Sequence, residues 1–349
     1  MSKFERRSML FAAWGLVAAL VAVIVYPVSL TSGLLSWGYF VRSVAILGLG
    51  LRWFIERPGA VLRDALSAAV IVGVLVSLFA WTTESRPRVE YFDADLGITV
   101  NTISRARILG LPLFGRGQVN TFAVFLALCA AACLVLLAQR GTTRFAARYT
   151  LAAGLLAFTA VSTSSRAGLL CILVCLLVFA THRLDSAVSL VAASCGAVLL
   201  VLLATAAPEV LSSVGVPARG LESISLSGIL SPEEASNGRF EITSVMLGDV
   251  ARSPIFGTGF QDLELFHPEL NASPHNQYLG AFHKAGLIGG IIYFAMAMPL
   301  ITGTVRSSRP GRIMVLPLLA ASISLDLLTT PVTAALAPIA FAAAFIRLD

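Results

Sequence analysis

Charged residues are scarce in this chain of 349 residues. They make up 13% of the sequence, whereas hydrophobic residues make up 57% and the mean hydropathy is +0.86. A soluble domain carries roughly a quarter charged residues, so the composition excludes an ordinary soluble protein. Each membrane-spanning helix takes about 20 apolar residues, and the chain is long enough for roughly ten helices and one or two sizeable loops.

The sequence also lacks cysteines placed to form disulfides and a cleavable leader. All five cysteines lie inside apolar runs, where a thiol behaves as a small hydrophobic group. The basic start of the chain precedes an apolar run over 9–30 that is too long for a signal peptide and has no cleavage site after it. We therefore expect no disulfide framework and an uncleaved first helix.

Apolar runs bounded by charge or by proline and glycine recur along the chain. They lie near 9–30, 34–55, 64–81, 118–138, 149–163, 167–181, 187–206, 278–304, 313–329 and 332–346. This pattern predicts an all-α polytopic membrane protein, a single membrane domain over 1–349 with about ten transmembrane helices. Two long loops remain, at 82–117 and at 207–277, and the larger lies between helices 7 and 8.

The basic residues indicate the orientation of these helices. More than half of them fall in clusters that share one side of the membrane when the N-terminus is cytoplasmic. Both termini are then cytoplasmic, and both long loops lie on the periplasmic side of a bacterial inner membrane. The same bias accounts for the net charge of +6, so nucleic acid is not an expected partner.

The stretch from Ser273 to Gly290 contains the most informative motif. His275-Asn276 is followed, after nine residues, by Gly286-x-x-Gly289 at the start of an apolar helix. A neutral imidazole can accept the proton of an attacking sugar hydroxyl, which makes His275 the candidate base. Asn276 can orient the imidazole or the acceptor sugar, and the two glycines allow close helix or lipid approach.

Two arginines on the same predicted side are suited to binding phosphate. Arg166 lies in a Ser-Arg-Ala-Gly stretch at a helix end, and Arg239 lies in Asn-Gly-Arg-Phe, upstream of the Pro-x-x-Gly-x-Gly-Phe stretch at 254–260. A guanidinium stays charged and binds phosphate oxygens in a bidentate fork. Developing charge on a lipid diphosphate leaving group can be stabilised in this way without a metal.

Together with a weaker match at Asn120, these motifs cover roughly 116–304 and resemble those of the O-antigen ligase and polysaccharide polymerase family. The resemblance implies transfer of a polyprenyl-diphosphate-linked glycan to an acceptor sugar hydroxyl, with inversion at the anomeric carbon. The acceptor is a lipid A core sugar for a ligase and another lipid-linked glycan for a polymerase, and the motifs do not separate the two. No cofactor is expected.

Other interpretations compete with this one. Arg166 and Arg239 can be headgroup anchors. The equal spacing of His267, His275 and His283 invites a zinc site, but Pro268 and Pro274 break any single helix carrying all three.

Two other classes of protein also remain open. A carrier or flippase would line a path with the intramembrane charges Arg42, Lys284 and Asp326. A non-catalytic assembly factor would tolerate the loss of His275.

Overall fold

The computed structural model describes most of the predicted helices and part of the first long loop. The described residues are 3–26, 29–82, 88–93, 98–103, 107–108, 111–112, 119–139, 143–162, 165–181, 239–261, 263–267, 276–307, 310–322 and 331–346. Within these ranges the chain forms eleven helices and four short strands.

Nine of these helices correspond to predicted apolar runs. They are α1 (Lys3–Val25), α2 (Leu30–Ile55), α3 (Gly59–Thr82), α4 (Val119–Gln139), α5 (Thr143–Ser162), α6 (Arg166–Thr181), α9 (Gln277–Arg306), α10 (Arg312–Ser322) and α11 (Pro331–Phe345). Helices α7 (Arg239–Arg252) and α8 (Leu263–Phe266) belong to the second long loop. The predicted helix at 187–206 lies outside the described residues.

Length and apolar composition make the chain a polytopic membrane protein, as predicted. Five of the described helices are long and apolar enough to cross a membrane: α1, α2, α3, α4 and α9. Four shorter apolar helices, α5, α6, α10 and α11, accompany them. The predicted fold class is thereby confirmed for the helical part of the chain.

The first long loop differs from the all-α expectation. Strand β1 (Arg88–Asp93) pairs antiparallel with β2 (Ile98–Ile103), and β3 (Arg107–Ile108) pairs antiparallel with β4 (Leu111–Pro112). Apolar and polar residues alternate over 88–91 in β1 and over 98–101 in β2, a period of two that favours a strand over a helix. The all-α description therefore holds for the membrane helices and not for this loop.

Helix α4 forms the centre of the larger core. It is apolar on all sides, and 89% of its apolar window is buried, as expected for a helix surrounded by others. Helices α3, α5, α6 and α10 pack around it. Small residues permit close approach: a Cβ added to Gly73 would lie 2.7 Å from the Cβ of Cys129, and one on Gly168 would lie 2.5 Å from that of Ala123.

A second cluster joins α1, α2 and α9. The rings of Phe11, Phe40 and Tyr293 form its centre, with centroids 5.0 to 5.8 Å apart. The Arg7 guanidinium donates to the carbonyl of Ala295, whereas Trp14, further along α1, donates to that of Ala285, so α1 and the last part of α9 run side by side in opposite directions. This cluster supports the segment in which the predicted motifs lie.

Candidate functional site

Helix α9, which carries the Gly-x-x-Gly motif, is broken at the first of its glycines. Gly286 has φ +68° and ψ −174°, a backbone conformation outside the α-helical region. A break of this kind deprives the adjacent backbone groups of their helical partners. Buried backbone groups need replacement partners, above all inside a membrane.

Residues 253–261 form a turn that supplies these partners. The hydrogen bonds run from Thr258 N to His283 O (2.8 Å), from Phe260 N to Lys284 O (3.1 Å) and from Leu287 N to Pro254 O (2.7 Å). The Pro-x-x-Gly-x-Gly-Phe stretch and the Gly-x-x-Gly stretch therefore form one structural unit. We call residues 253–261 and 283–287 the junction.

Helix α1 contacts the junction through Trp14, at the midpoint of α1. Trp14, the middle residue of α1, donates from Nε1 to the carbonyl of Ala285 at 2.9 Å. Its ring also stacks on Phe256, with centroids 5.3 Å apart. With a rise of 1.5 Å per residue, Gly286 lies about 14 Å along α9 from its first residue, and the contact with Trp14 places the junction at the level of the middle of α1.

Glycine is required where the turn meets the break. Gly257 and Gly286 both have positive φ. A Cβ on Gly257 would lie 2.4 Å from the His283 carbonyl oxygen, and a Cβ on Gly286 would lie 2.1 Å from that of Ile255. Any side chain at either position would push the two parts of the junction apart.

The last residue of the motif, Phe260, stores backbone strain. Its φ of 67° is unusual for a bulky residue. The ring is 1% exposed and packs against Phe11 and Phe40, with centroids 6.4 and 6.0 Å away. Aromatic packing and the hydrogen bond to Lys284 thus hold the residue in a conformation that it would not adopt alone.

Beside the junction, a buried carboxylate binds two histidines. Asp249 Oδ2 lies 3.0 Å from Nε2 of His267 and 3.1 Å from Nε2 of His283. Asp249 is 7% exposed and His283 is 1% exposed. On its other side, Nδ1 of His283 lies 3.5 Å from Oγ1 of Thr258, within the turn.

The hydrogen bonds in this cluster favour the ionised form of Asp249. Burial alone would raise the pKa of the Asp249 carboxyl, but the hydrogen bonds from His283 and His267 outweigh burial and hold this pKa below its ordinary value. Arg252 adds a weaker contact, because its guanidinium is 3.6 Å away and 76% exposed.

Two further motif elements meet at the start of α6. The hydroxyl of Ser165 donates to Oδ1 of Asn120 at 2.7 Å and accepts from the backbone N–H of Gly168 at 3.2 Å. Ser165 therefore caps α6, whose first residue is Arg166, and ties it to the start of α4. The weak Asn120 match and the Ser-Arg match thus belong to one contact.

Asn276 caps helix α9. Its Oδ1 accepts hydrogen bonds from the backbone N–H groups of Tyr278 and Leu279, both at 3.0 Å. The cap occupies the side-chain oxygen and leaves the amide nitrogen to donate elsewhere. The next residue, Gln277, is buried and donates to the hydroxyl of Tyr293.

The three residues predicted to do the chemistry are described only in part. His275 lies outside the described residues. Arg166 and Arg239 are the first residues of α6 and α7, and their side chains lie outside the described part of the chain. Both arginines therefore begin helices, where the helix dipole adds positive potential.

A largely apolar groove runs beside α9. It is lined by Gln277 and Tyr278 from the first part of α9 and by residues from Tyr293 to Ile301 in the second part, where the Tyr293 hydroxyl accepts a hydrogen bond from Gln277. Ser322, at the end of α10, also lines it. The end of α9 that carries Asn276 therefore borders the groove.

The predicted intramembrane charges are separated in the structure as far as it describes them. Lys284 is buried at the junction, whereas Arg42 is exposed on α2 with its guanidinium 5.1 Å from the centre of the Tyr39 ring. Asp326 lies outside the described residues. In the ranges given above, no group of three or more histidine, cysteine or acidic side chains has the arrangement of a metal site.

Sequence reasoning missed the joint role of Asp249, His267 and His283. Nothing in the sequence singled out Asp249 within the second long loop, and His267 and His283 were considered only as zinc ligands. The equal spacing of the histidines was a signal, but the partner of the outer two is a carboxylate on another helix. Nothing local to the histidines points to that helix.

These features define a multi-pass helical membrane protein in which a buried turn is hydrogen-bonded to a broken helix. Residues 151–294 match the family model described as O-antigen ligase, a span that runs from α5 into α9 and includes both arginines, His275 and the junction. This match confirms the resemblance in the motifs to the O-antigen ligase family and implies glycan transfer of the ligase or polymerase type. No curated protein matches the chain.

Proposed function

We propose that this protein transfers a polyprenyl-diphosphate-linked glycan to an acceptor sugar hydroxyl at the periplasmic face of a bacterial inner membrane. The acceptor is a lipid A core sugar or another lipid-linked glycan. The observation that carries the proposal is the O-antigen ligase match over 151–294, which contains the Arg166, Arg239 and His275 motifs in order.

In this mechanism the acceptor oxygen attacks the anomeric carbon of the donor. His275 takes the proton of the attacking hydroxyl, and the bond between the anomeric carbon and the phosphate oxygen breaks. The electron pair leaves with the lipid diphosphate. Base catalysis of this kind contributes about 10²–10⁴-fold in rate.

Arg166 and Arg239 would hold the diphosphate. Each begins a helix, so a phosphate there meets a guanidinium together with the positive end of the helix dipole. Both contacts strengthen as charge develops on the leaving oxygen. This arrangement needs no metal ion.

The groove beside α9 suits the lipid tail of the donor. It is largely apolar and is bordered by the end of α9 that carries Asn276, so a tail in the groove would keep its diphosphate near His275. The donor diphosphate and the candidate base would then both lie at the start of α9.

A carrier is the second candidate, and the broken helix favours it. Transporters bind substrate at interrupted helices near the membrane midplane, and the junction lies at the midpoint of α1. A carrier moves the lipid-linked glycan without an acceptor, whereas a transferase consumes donor only when an acceptor is present.

Purified protein in lipid nanodiscs, supplied with lipid-linked glycan and candidate acceptors, tests the proposal. We expect His275→Ala to abolish transfer while donor binding remains, because a base acts in the transition state. Arg166→Ala and Arg239→Ala should weaken both binding and transfer, and Lys should rescue either poorly.

Arg57→Ala provides the control, because Arg57 is an exposed arginine between α2 and α3. It should leave donor binding and transfer unchanged. Near-normal turnover of His275→Ala would refute the assignment of the base, and donor movement without any acceptor would favour the carrier.

A further inference from the structure

The first turn of helix α6 meets the first turn of α4 through two contacts. The Ser165 hydroxyl donates to Oδ1 of Asn120 at 2.7 Å. One turn further along each helix, Gly168 lies so close to Ala123 that an added Cβ would be 2.5 Å from the Cβ of Ala123. A hydrogen bond and a close contact between small residues thus join the two helix starts.

The Ser165 hydroxyl acts in both directions. Its oxygen accepts from the backbone N–H of Gly168 at 3.2 Å, within α6, while its proton goes to Asn120 on α4. Ser165 is 4% exposed, so an acceptor for that proton has to come from the protein rather than from water. Asn120 supplies this acceptor.

Asn120 is carried by the helix at the centre of the larger core. The residues 121–136 that follow it in α4 are all buried. A helix packed on every side has little freedom to tilt or slide, because close-packed neighbours oppose each displacement. Asn120 is therefore a fixed point from which the start of α6 can be held.

We propose that Asn120 is a positioning residue that acts through Ser165 to hold the backbone of Arg166 in place for binding the donor diphosphate. Arg166 directly follows Ser165 and is the first residue of α6. A bidentate contact to phosphate needs two parallel hydrogen bonds, so a small shift of the backbone that carries the guanidinium weakens both. The role of Arg166 in this inference rests on the proposed function, whereas the contact between Asn120 and Ser165 does not.

The expected effect is on donor affinity rather than on turnover. Without the Asn120 contact, the start of α6 occupies its place in only a fraction of the molecules, and the apparent affinity falls by that fraction. We expect Asn120→Ala to weaken donor binding by about three- to tenfold, which is the order that one such hydrogen bond supplies. At saturating donor kcat should be nearly unchanged, because the bound donor restores the competent arrangement.

A double-mutant cycle with Arg166→Ala distinguishes positioning from general loosening. The measurement is binding of farnesyl diphosphate, a short polyprenyl diphosphate without sugar, to the full-length protein in lipid nanodiscs. Asn120→Ala should weaken binding by about three- to tenfold in the wild-type background and by less than about twofold in the Arg166→Ala background. Equal losses in the two backgrounds would overturn the positioning role, as would an Arg166→Ala protein that binds the probe like wild type.

Ser77→Ala is the matched control. Ser77 is also a buried serine whose hydroxyl is hydrogen-bonded to a neighbouring helix, in this case to Thr159 between α3 and α5. Its replacement should leave probe binding unchanged in both backgrounds. A loss as large as that of Asn120→Ala would overturn the positioning role, since any missing buried hydrogen bond would then suffice.

Two additions keep the test decisive. If Asn120→Ala does not fold, Ser165→Ala removes the same contact from the other side and enters the same cycle with the same expected result. Wild-type protein that shows the coupled binding but no transfer to any acceptor would overturn the proposed function and leave the positioning of Arg166 standing. Normal transfer with equal losses in the two backgrounds would do the reverse.

Discussion

Replacing Gly286 by Ala should destabilise the protein because two unfavourable effects act at this position. The residue has φ +68° and ψ −174°, a region that essentially only glycine occupies. The new Cβ would also lie 2.1 Å from the carbonyl oxygen of Ile255 and 2.4 Å from its carbonyl carbon. Because these are backbone atoms, no side-chain rotation can relieve the clash.

The size of the effect follows from these two terms. A non-glycine residue in such a backbone region costs about 1–3 kcal/mol. Overpacking that forces a backbone shift costs about 1–3 kcal/mol more. The free energy of unfolding should therefore fall by about 2–6 kcal/mol, a large fraction of the about 5–15 kcal/mol typical of a folded protein.

Gly280→Ala is the matched control within the same helix. A Cβ at Gly280 meets nothing within 4 Å, and the residue has no positive φ. Ala there should be neutral or should stabilise α9 by up to about 1 kcal/mol. The two variants make the same chemical change, so their difference isolates the junction.

Thermal unfolding in detergent, followed by the loss of monodisperse protein, measures the difference. We expect Gly280→Ala to unfold at or above the wild-type midpoint and Gly286→Ala well below it. Equal midpoints for the two variants would refute the hydrogen-bonded junction, because an unbroken α9 would accept Ala at either position.

Three further predictions address orientation, metal and pH. Cysteine probes in 207–277 should label from the periplasmic side and probes in 140–148 only after permeabilisation; the reverse pattern would overturn the orientation. Transfer should survive EDTA, because arginines neutralise the diphosphate; activity lost on chelation and restored by a divalent ion would show otherwise. The lowered pKa of Asp249, which faces His267, His283 and Arg252, means that its stabilising contribution is complete above the unfolded pKa of about 3.9 and is lost only as pH falls through the lower folded value. Wild type should therefore still unfold at a higher midpoint than Asp249→Asn at pH 5, as at pH 7, and loss of the difference already at pH 5 would contradict this.

The depth of the junction bears on the choice between transferase and carrier. The turn reaches the level of Trp14, yet it is bonded to α9 by backbone hydrogen bonds and packed by aromatic rings. A broken helix so completely satisfied is suited to holding a shape. This favours a support for residues at the start of α9 over a path for a solute.

The amino-acid sequence by itself determined the class of fold and the resemblance to the O-antigen ligase family. Long apolar runs form helices in a membrane, because there the backbone polar groups must be hydrogen-bonded within the chain. The predicted runs agree closely with the described helices at α4, α6 and α9. The spacing around His275 and the two arginines was sufficient to indicate the resemblance to this family, since these residues lie in short contiguous motifs. Long apolar runs do not predict the hairpins in 82–117, because the strands of these hairpins have at most six residues.

Only the tertiary structure decided how the motifs act together. Gly286 alone predicts close approach, but the partner that approaches is the backbone of Ile255, which is near it only after the chain has folded back. Asp249 likewise gains its two histidines through the packing of α7 on α9. Hydrogen bonds between distant segments produce no periodic pattern in the sequence. Each segment contributes a single residue, and only the fold brings these residues within hydrogen-bond distance.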